Sequence, residues 1–107
     1  MEVEKFISLA EMAYKSGNTI KAIVYAKSAI ISGASHSQTT ALRIFIARCH
    51  SKIGNFDESN RVYRALLDEK NYLPPVIMGL LYNNFKSSEI NTRKISNNLG
   101  LMKLYVR

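Results

Sequence analysis

The chain is poor in the residues that cross-link or interrupt a fold. It has one cysteine, two prolines and no tryptophan among 107 residues. Because Cys49 has no second cysteine to pair with, an internal disulfide is excluded, as expected in a reducing compartment such as cytosol or nucleus. An apolar share of 47% argues against a disordered chain. We therefore expect one small intracellular domain over residues 1–107.

Long apolar runs are also missing. The longest stretch, residues 22–31, is interrupted by Lys27 and Ser28 and is shorter than the roughly 20 residues that span a bilayer. Glu2 and Glu4 precede the first apolar residues, which is the reverse of the cationic start of a secretory signal. The sequence predicts neither a membrane segment nor a secretory route.

Acidic residues are scarce beside basic ones. The chain has 15 Lys and Arg against 8 Asp and Glu, a net charge of +7. Residues 70–107 hold six of the basic side chains and one of the acidic ones, so this third of the chain contributes +5. No acid stands between Glu11 and Asp57. Such a field attracts an acidic peptide, a nucleic acid or an anionic partner subunit.

The strongest positive signal is one pattern that occurs twice. Gly17-Asn18 recurs 37 residues later as Gly54-Asn55, and each pair separates two stretches with small and apolar residues at helical spacing. Small side chains let two antiparallel helices approach closely, and glycine reaches the left-handed conformation that ends a helix. The small residues of the first unit are Ala10, Ala13, Ala22, Ala26 and Ala29.

This arrangement resembles the tetratricopeptide repeat (TPR) family, whose units are about 34 residues long and consist of two antiparallel helices. The resemblance implies an all-α fold in which antiparallel helical hairpins stack as a short right-handed solenoid. The units cover about 3–33 and 38–70, with a partial third unit over about 74–107. The family's first helices line a concave groove, so the resemblance also implies a protein-binding scaffold without catalysis.

The third unit keeps only part of the family pattern. Met78, Gly79 and Tyr82 retain the order of hydrophobic, small and aromatic residues found in a unit's first helix. The alanine-rich hairpins and the Gly79-Leu80-Leu81 stretch look somewhat like those in scaffold subunits of the anaphase-promoting complex. Departures from the pattern occur at Arg43, His50 and Leu66, where a large apolar residue, an aromatic residue and an alanine are usual.

The periodicity also predicts the approximate bounds of the helices. Ser37 is the expected N-cap of the third helix, and Pro74-Pro75 are expected to begin the fifth, where proline is tolerated in a first turn. The expected helices cover about 3–16, 19–31, 38–53, 57–70 and a fifth from 74, followed by a weaker helical stripe over 89–107.

Three cations are candidates for binding a partner in the groove. Arg48 and Lys52 are one turn apart on the third predicted helix, and Lys15 occupies the place in the first unit that corresponds to Lys52. If these helices line a groove, the three side chains can meet an acidic ligand there. The alternative is an ordinary solvated helix face, since most surface charge binds nothing specific.

The fifth helix is apolar on nearly every side, so it requires cover on more than one face. We expect Val76, Ile77, Leu80 and Leu81 either to mediate self-association or to form core under a further helix.

Residues for catalysis or metal binding are too few to form a site. The chain has two histidines and one cysteine, and the neighbours Cys49 and His50 point about 100° apart on a helix. Paired carboxylates at useful spacing and a phosphate-binding glycine loop are also missing from the sequence. We therefore predict no enzyme, metal or cofactor. A basic helical domain that binds nucleic acid remains the alternative function, ranked second because the tyrosines do not alternate with the cations.

Overall fold

Five α-helices follow one another over residues 2–106. The structure, a computed structural model, describes the backbone of residues 2–106 and the side chains of residues 2–90. The all-α prediction is confirmed, and no β-strand occurs within the described backbone. The helices are α1 (Glu2–Lys15), α2 (Thr19–Ile31), α3 (His36–Lys52), α4 (Phe56–Asp68) and α5 (Pro74–Val106).

The two glycine turns have the same backbone geometry. Gly17 and Gly54 take φ angles of 86° and 82°, in the left-handed region. The N–H groups of Asn18 and Asn55 each donate to the carbonyl five residues earlier, at 2.9 and 2.8 Å. This is the Schellman arrangement, which satisfies a carbonyl at the end of the helix. The predicted equivalence of the turns is confirmed, and Gly33, with φ 103°, follows the end of α2 as expected.

Two helix ends lie two residues from the predicted positions, and the other predicted ends agree to within one residue. Helix α3 begins earlier because Ser35, rather than Ser37, is its N-cap: Ser35 Oγ accepts from the Gln38 N–H at 3.1 Å, and Gln38 Oε1 accepts from the Ser35 N–H at 2.9 Å. This reciprocal pair is a capping box. Helix α4 stops before Lys70, whose φ of 62° makes a left-handed turn without glycine, closed by the Asn71 N–H on the Leu66 carbonyl at 2.9 Å.

The helices pack in chain order, with α1 on α2, α2 on α3 and α3 on α4, while α5 lies against α4 and α3. Alanines make the first of these contacts, since Ala10 is 2% exposed and Ala22, Ala26 and Ala29 are completely buried in one cluster. The expected close approach of α1 and α2 through small side chains is thus confirmed. A second cluster joins α3, α4 and α5 through Ala47, Tyr63, Leu66 and Val76.

Helix α5 continues through the segment for which a weaker helical stripe was predicted. Its backbone is one helix from Pro74 to Val106. The side chains of the stripe beyond Ile90 lie outside the described residues. None of the helices in the described part of the chain combines the length and the hydropathy that a membrane crossing requires.

Candidate functional site

A groove of about 610 Å³ opens between four of the five helices. Helices α3 and α5 supply most of the lining, α1 contributes an aromatic ring, and α4 contributes a buried tyrosine. The lining residues are Tyr14 of α1; Arg48, Ser51 and Lys52 of α3; Tyr63 of α4; and Pro75, Met78, Gly79, Tyr82 and Asn83 of α5.

Two of the three predicted cations lie in this groove. Arg48 and Lys52 are exposed, and neither has an ion-pair partner among the described residues. The Lys52 Nζ lies 4.2 Å from the centre of the Tyr14 ring, within the distance of a cation–π contact. Lys15 is exposed at the end of α1 but does not line the groove. The structure therefore brings Arg48 and Lys52 together and leaves Lys15 outside.

The base of the groove depends on a close contact between α4 and α5. Tyr63 is 1% exposed, and Gly79 lies directly against its ring. A Cβ atom at Gly79 would come within 2.5 Å of Tyr63 Cε2 and Oη, closer than nonbonded carbon atoms approach. Burial raises the pKa of the Tyr63 phenol above its ordinary value of 10.0.

A buried polar network connects α5 to the rest of the domain. Asn83, completely buried, donates from Nδ2 to Ser59 Oγ and to Asn60 Oδ1, both at 2.8 Å. Ser59 Oγ donates in turn to the Ala47 carbonyl at 2.7 Å. Asn83 Oδ1 and Ser51 Oγ have no hydrogen-bond partner among the described residues. Since a buried polar group without a partner costs about 1–3 kcal/mol, the network fixes the position of α5 at some expense in stability.

The predicted self-association residues fall on two different faces of α5. Val76 is completely buried in the second core cluster, and Leu80 packs against that cluster. Both therefore belong to the core of the chain itself, which was the alternative interpretation for this helix. Ile77 and Leu81 point away from the core and are 38% and 58% exposed.

Ile77 and Leu81 are part of a wider exposed surface, which we call the outer face of α5. Its members are Ile77, Met78, Leu81, Tyr82 and Phe85, all at least 38% exposed. Because successive helical residues are about 100° apart, these five side chains cover roughly 140° of the circumference. Met78 and Tyr82 also line the groove, so the groove and the outer face form one continuous surface.

Cys49 and His50 do not form a reactive pair. Burial raises the pKa of the Cys49 thiol to about 11, so the thiol is protonated at neutral pH. His50 Nδ1 lies 3.4 Å from the Asn55 side-chain nitrogen at the end of α3. Within the described residues, no group of three histidine, cysteine or acidic side chains is placed to hold a metal ion.

Several groove residues were not singled out from the sequence. Tyr14 stands 37 residues before Ser51, the same shift that relates the two glycine turns, and both line the groove. That shift was therefore a usable signal for Tyr14. No comparable signal marked Asn83, because its burial depends on contacts with α4 and not on any local pattern.

Comparison with protein-family models, curated proteins and solved structures finds no match for the chain. The likeness to the TPR family therefore rests on the sequence pattern, and the structure adds a small all-α domain with sequentially packed helices.

Proposed function

We propose that the chain is a non-catalytic scaffold of stacked TPR-like helical hairpins that binds an acidic segment of another protein in its groove. Two features support the repeat architecture. The turns at Gly17 and Gly54 share one backbone geometry, and each joins two helices that pack against each other. In this scheme α1, α3 and α5 are the first helices of three units, which agrees with their joint contribution to the groove.

The single observation that carries the proposed function is the pair of free cations beside apolar and aromatic side chains. Arg48 and Lys52 lie one turn apart, have no ion-pair partner among the described residues, and line the same groove as Met78 and Tyr82. Because the net charge is +7, the field around the groove favours an anionic ligand. The apolar wall supplies contact area, which charge alone does not give.

Charge reversal at the groove tests this proposal. We expect Arg48→Glu combined with Lys52→Glu to abolish binding of an acidic peptide by the full chain. Lys5→Glu combined with Arg64→Glu is the matched control, since it changes the net charge equally at two exposed residues outside the groove. Equal loss in both variants would show that net charge, and not the groove, drives binding. If both double variants still bound the acidic peptide, the binding site would lie elsewhere.

Two cation–aromatic contacts in and beside the groove also favour the second candidate function, binding of single-stranded nucleic acid. Lys52 lies over Tyr14, and Lys86 lies 5.8 Å from the centre of the Tyr82 ring, so cations and aromatic rings are neighbours in space although they do not alternate in sequence. Such surfaces bind bases by stacking and phosphates by charge. Titration of a labelled single-stranded oligonucleotide across a salt series separates the two. Tight binding that falls steeply with salt would favour this function, whereas protein contacts with an apolar wall are less sensitive.

A further inference from the structure

We propose that the partner is an amphipathic helix with acidic flanks, which lies along the outer face of α5 and directs its acidic side toward Arg48 and Lys52. This inference rests on the proposed function and specifies the form of its ligand. Its basis is the shape, width and charge of one continuous surface rather than any single residue.

The outer face has the dimensions of a helix-packing surface. A helix that faces a protein core presents an apolar stripe of about 100° or more, and the outer face covers roughly 140° in addition to the buried face of α5. From Ile77 to Phe85 it is about 12 Å long at 1.5 Å per residue, which corresponds to two turns. Side chains at this spacing form ridges that accept the ridges of another helix.

The packing of the other helices shows what kind of element is missing. Helix α1 is covered by α2, and α3 is covered by α4, whereas α5 has no following helix against it in the described part of the chain. Its own backbone runs on as a single helix to Val106. A helix from another molecule placed on the outer face would complete the arrangement that the first two hairpins already have.

The positive charge beside the outer face favours an acidic partner. The groove edge of the outer face is bounded by Arg48 and Lys52, which lack ion-pair partners among the described residues. At the far end, Lys86 pairs with Glu89 at 3.5 Å, so those two charges offset each other. A second copy of the chain would bring the same two cations and a net charge of +7 against this surface. An acidic helix is therefore complementary where a second copy is repelled.

Three synthetic peptides titrated against the full chain test the inference. The first has leucine at i, i+3, i+4 and i+7 and glutamate on both sides of this apolar stripe. The second has lysine in place of each glutamate. The third has the composition of the first in a shuffled order, so that it has no apolar face. We expect the first to bind at least about tenfold more tightly than the others, because both apolar contact and charge match. Leu81→Ser should weaken that binding about tenfold, since it removes one apolar anchor.

Ile31→Ser is the matched control, because Ile31 is 85% exposed on α2 and lies outside both the groove and the outer face. Both substitutions are at exposed positions, so both variants should fold. If the first peptide and its shuffled form bound equally well, and both lost binding on Arg48→Glu with Lys52→Glu, the helical ligand would be overturned. The groove function would then stand. Absence of binding by both acidic peptides would count against both proposals. If sedimentation showed that the chain is a dimer and that Leu81→Ser abolishes the dimer, the occupant would be a second copy and the inference would be refuted.

Discussion

Adding a single methyl group at Gly79 should destabilise the domain, although alanine is a better helix former than glycine. Gly79 lies inside α5, where replacing glycine by alanine would by itself stabilise a helix by about 1 kcal/mol. The added Cβ, however, would fall within 2.5 Å of Tyr63 Cε2 and Oη. Forcing extra atoms into a packed core typically costs about 1–3 kcal/mol. We therefore expect Gly79→Ala to lower the free energy of unfolding by up to about 2 kcal/mol.

A double-mutant cycle separates the two contributions. Tyr63→Leu removes the ring atoms that the new methyl group would meet, so Gly79→Ala should become stabilising by up to about 1 kcal/mol in that background. The coupling energy between the two positions is then about 1–3 kcal/mol. Urea denaturation followed by circular dichroism measures all four proteins. If Gly79→Ala raised stability equally in both backgrounds, the close contact between α4 and α5 would not exist.

Three further predictions concern Ser59, Cys49 and His50. Ser59→Ala should lower the free energy of unfolding, measured by thermal or urea denaturation, by about 1–3 kcal/mol, because Ser59 Oγ connects the Ala47 carbonyl to Asn83. Ser8→Ala at an exposed position is the control and should change stability little. Burial raises the pKa of Cys49 from 9.0 to about 11, so its thiol should be alkylated about 100-fold more slowly in the native than in the unfolded protein near neutral pH. Mass spectrometry can follow the reaction, and equal rates would show an exposed thiol. Burial lowers the pKa of His50 from its ordinary 6.5, so the stability that the neutral imidazole contributes is present above pH 6.5 and is lost as the pH falls through the lower native value. His50→Gln should therefore make the urea midpoint less dependent on pH between neutral and mildly acidic conditions.

Local signals predicted the helices well, because the residues that start and stop them act within a few positions. Gly17, Gly33 and Gly54 all take the left-handed conformation expected of a glycine at the end of a helix. The exceptions arose where another residue type made the same local interaction. Lys70 adopts the left-handed conformation without being glycine, and Ser35 caps α3 because Gln38 can return a hydrogen bond to it.

The candidate site was only partly predictable, since it depends on how α5 packs. The charges of Arg48 and Lys52 and their helical spacing were visible in the sequence, and the structure places both in the groove. The apolar run of α5, by contrast, contains no periodicity that distinguishes its buried from its exposed side. Val76 and Ile77 are adjacent and similar, yet the first is core and the second is exposed. Only the contacts of α5 with α3 and α4 decide between them.

The orientation of α5 therefore links the stability of the domain to its proposed binding surface. Asn83 and the Gly79–Tyr63 contact fix the rotation of the helix about its axis, because a buried amide and a close glycine contact tolerate little displacement. That rotation places Met78 and Tyr82 in the groove that Arg48 also lines, and it leaves Leu81 exposed. An apolar residue in place of Asn83 could fill the same volume without its hydrogen bonds, but it would specify this rotation less strictly. The polar network thus contributes both to the position of α5 and to the stability of the domain.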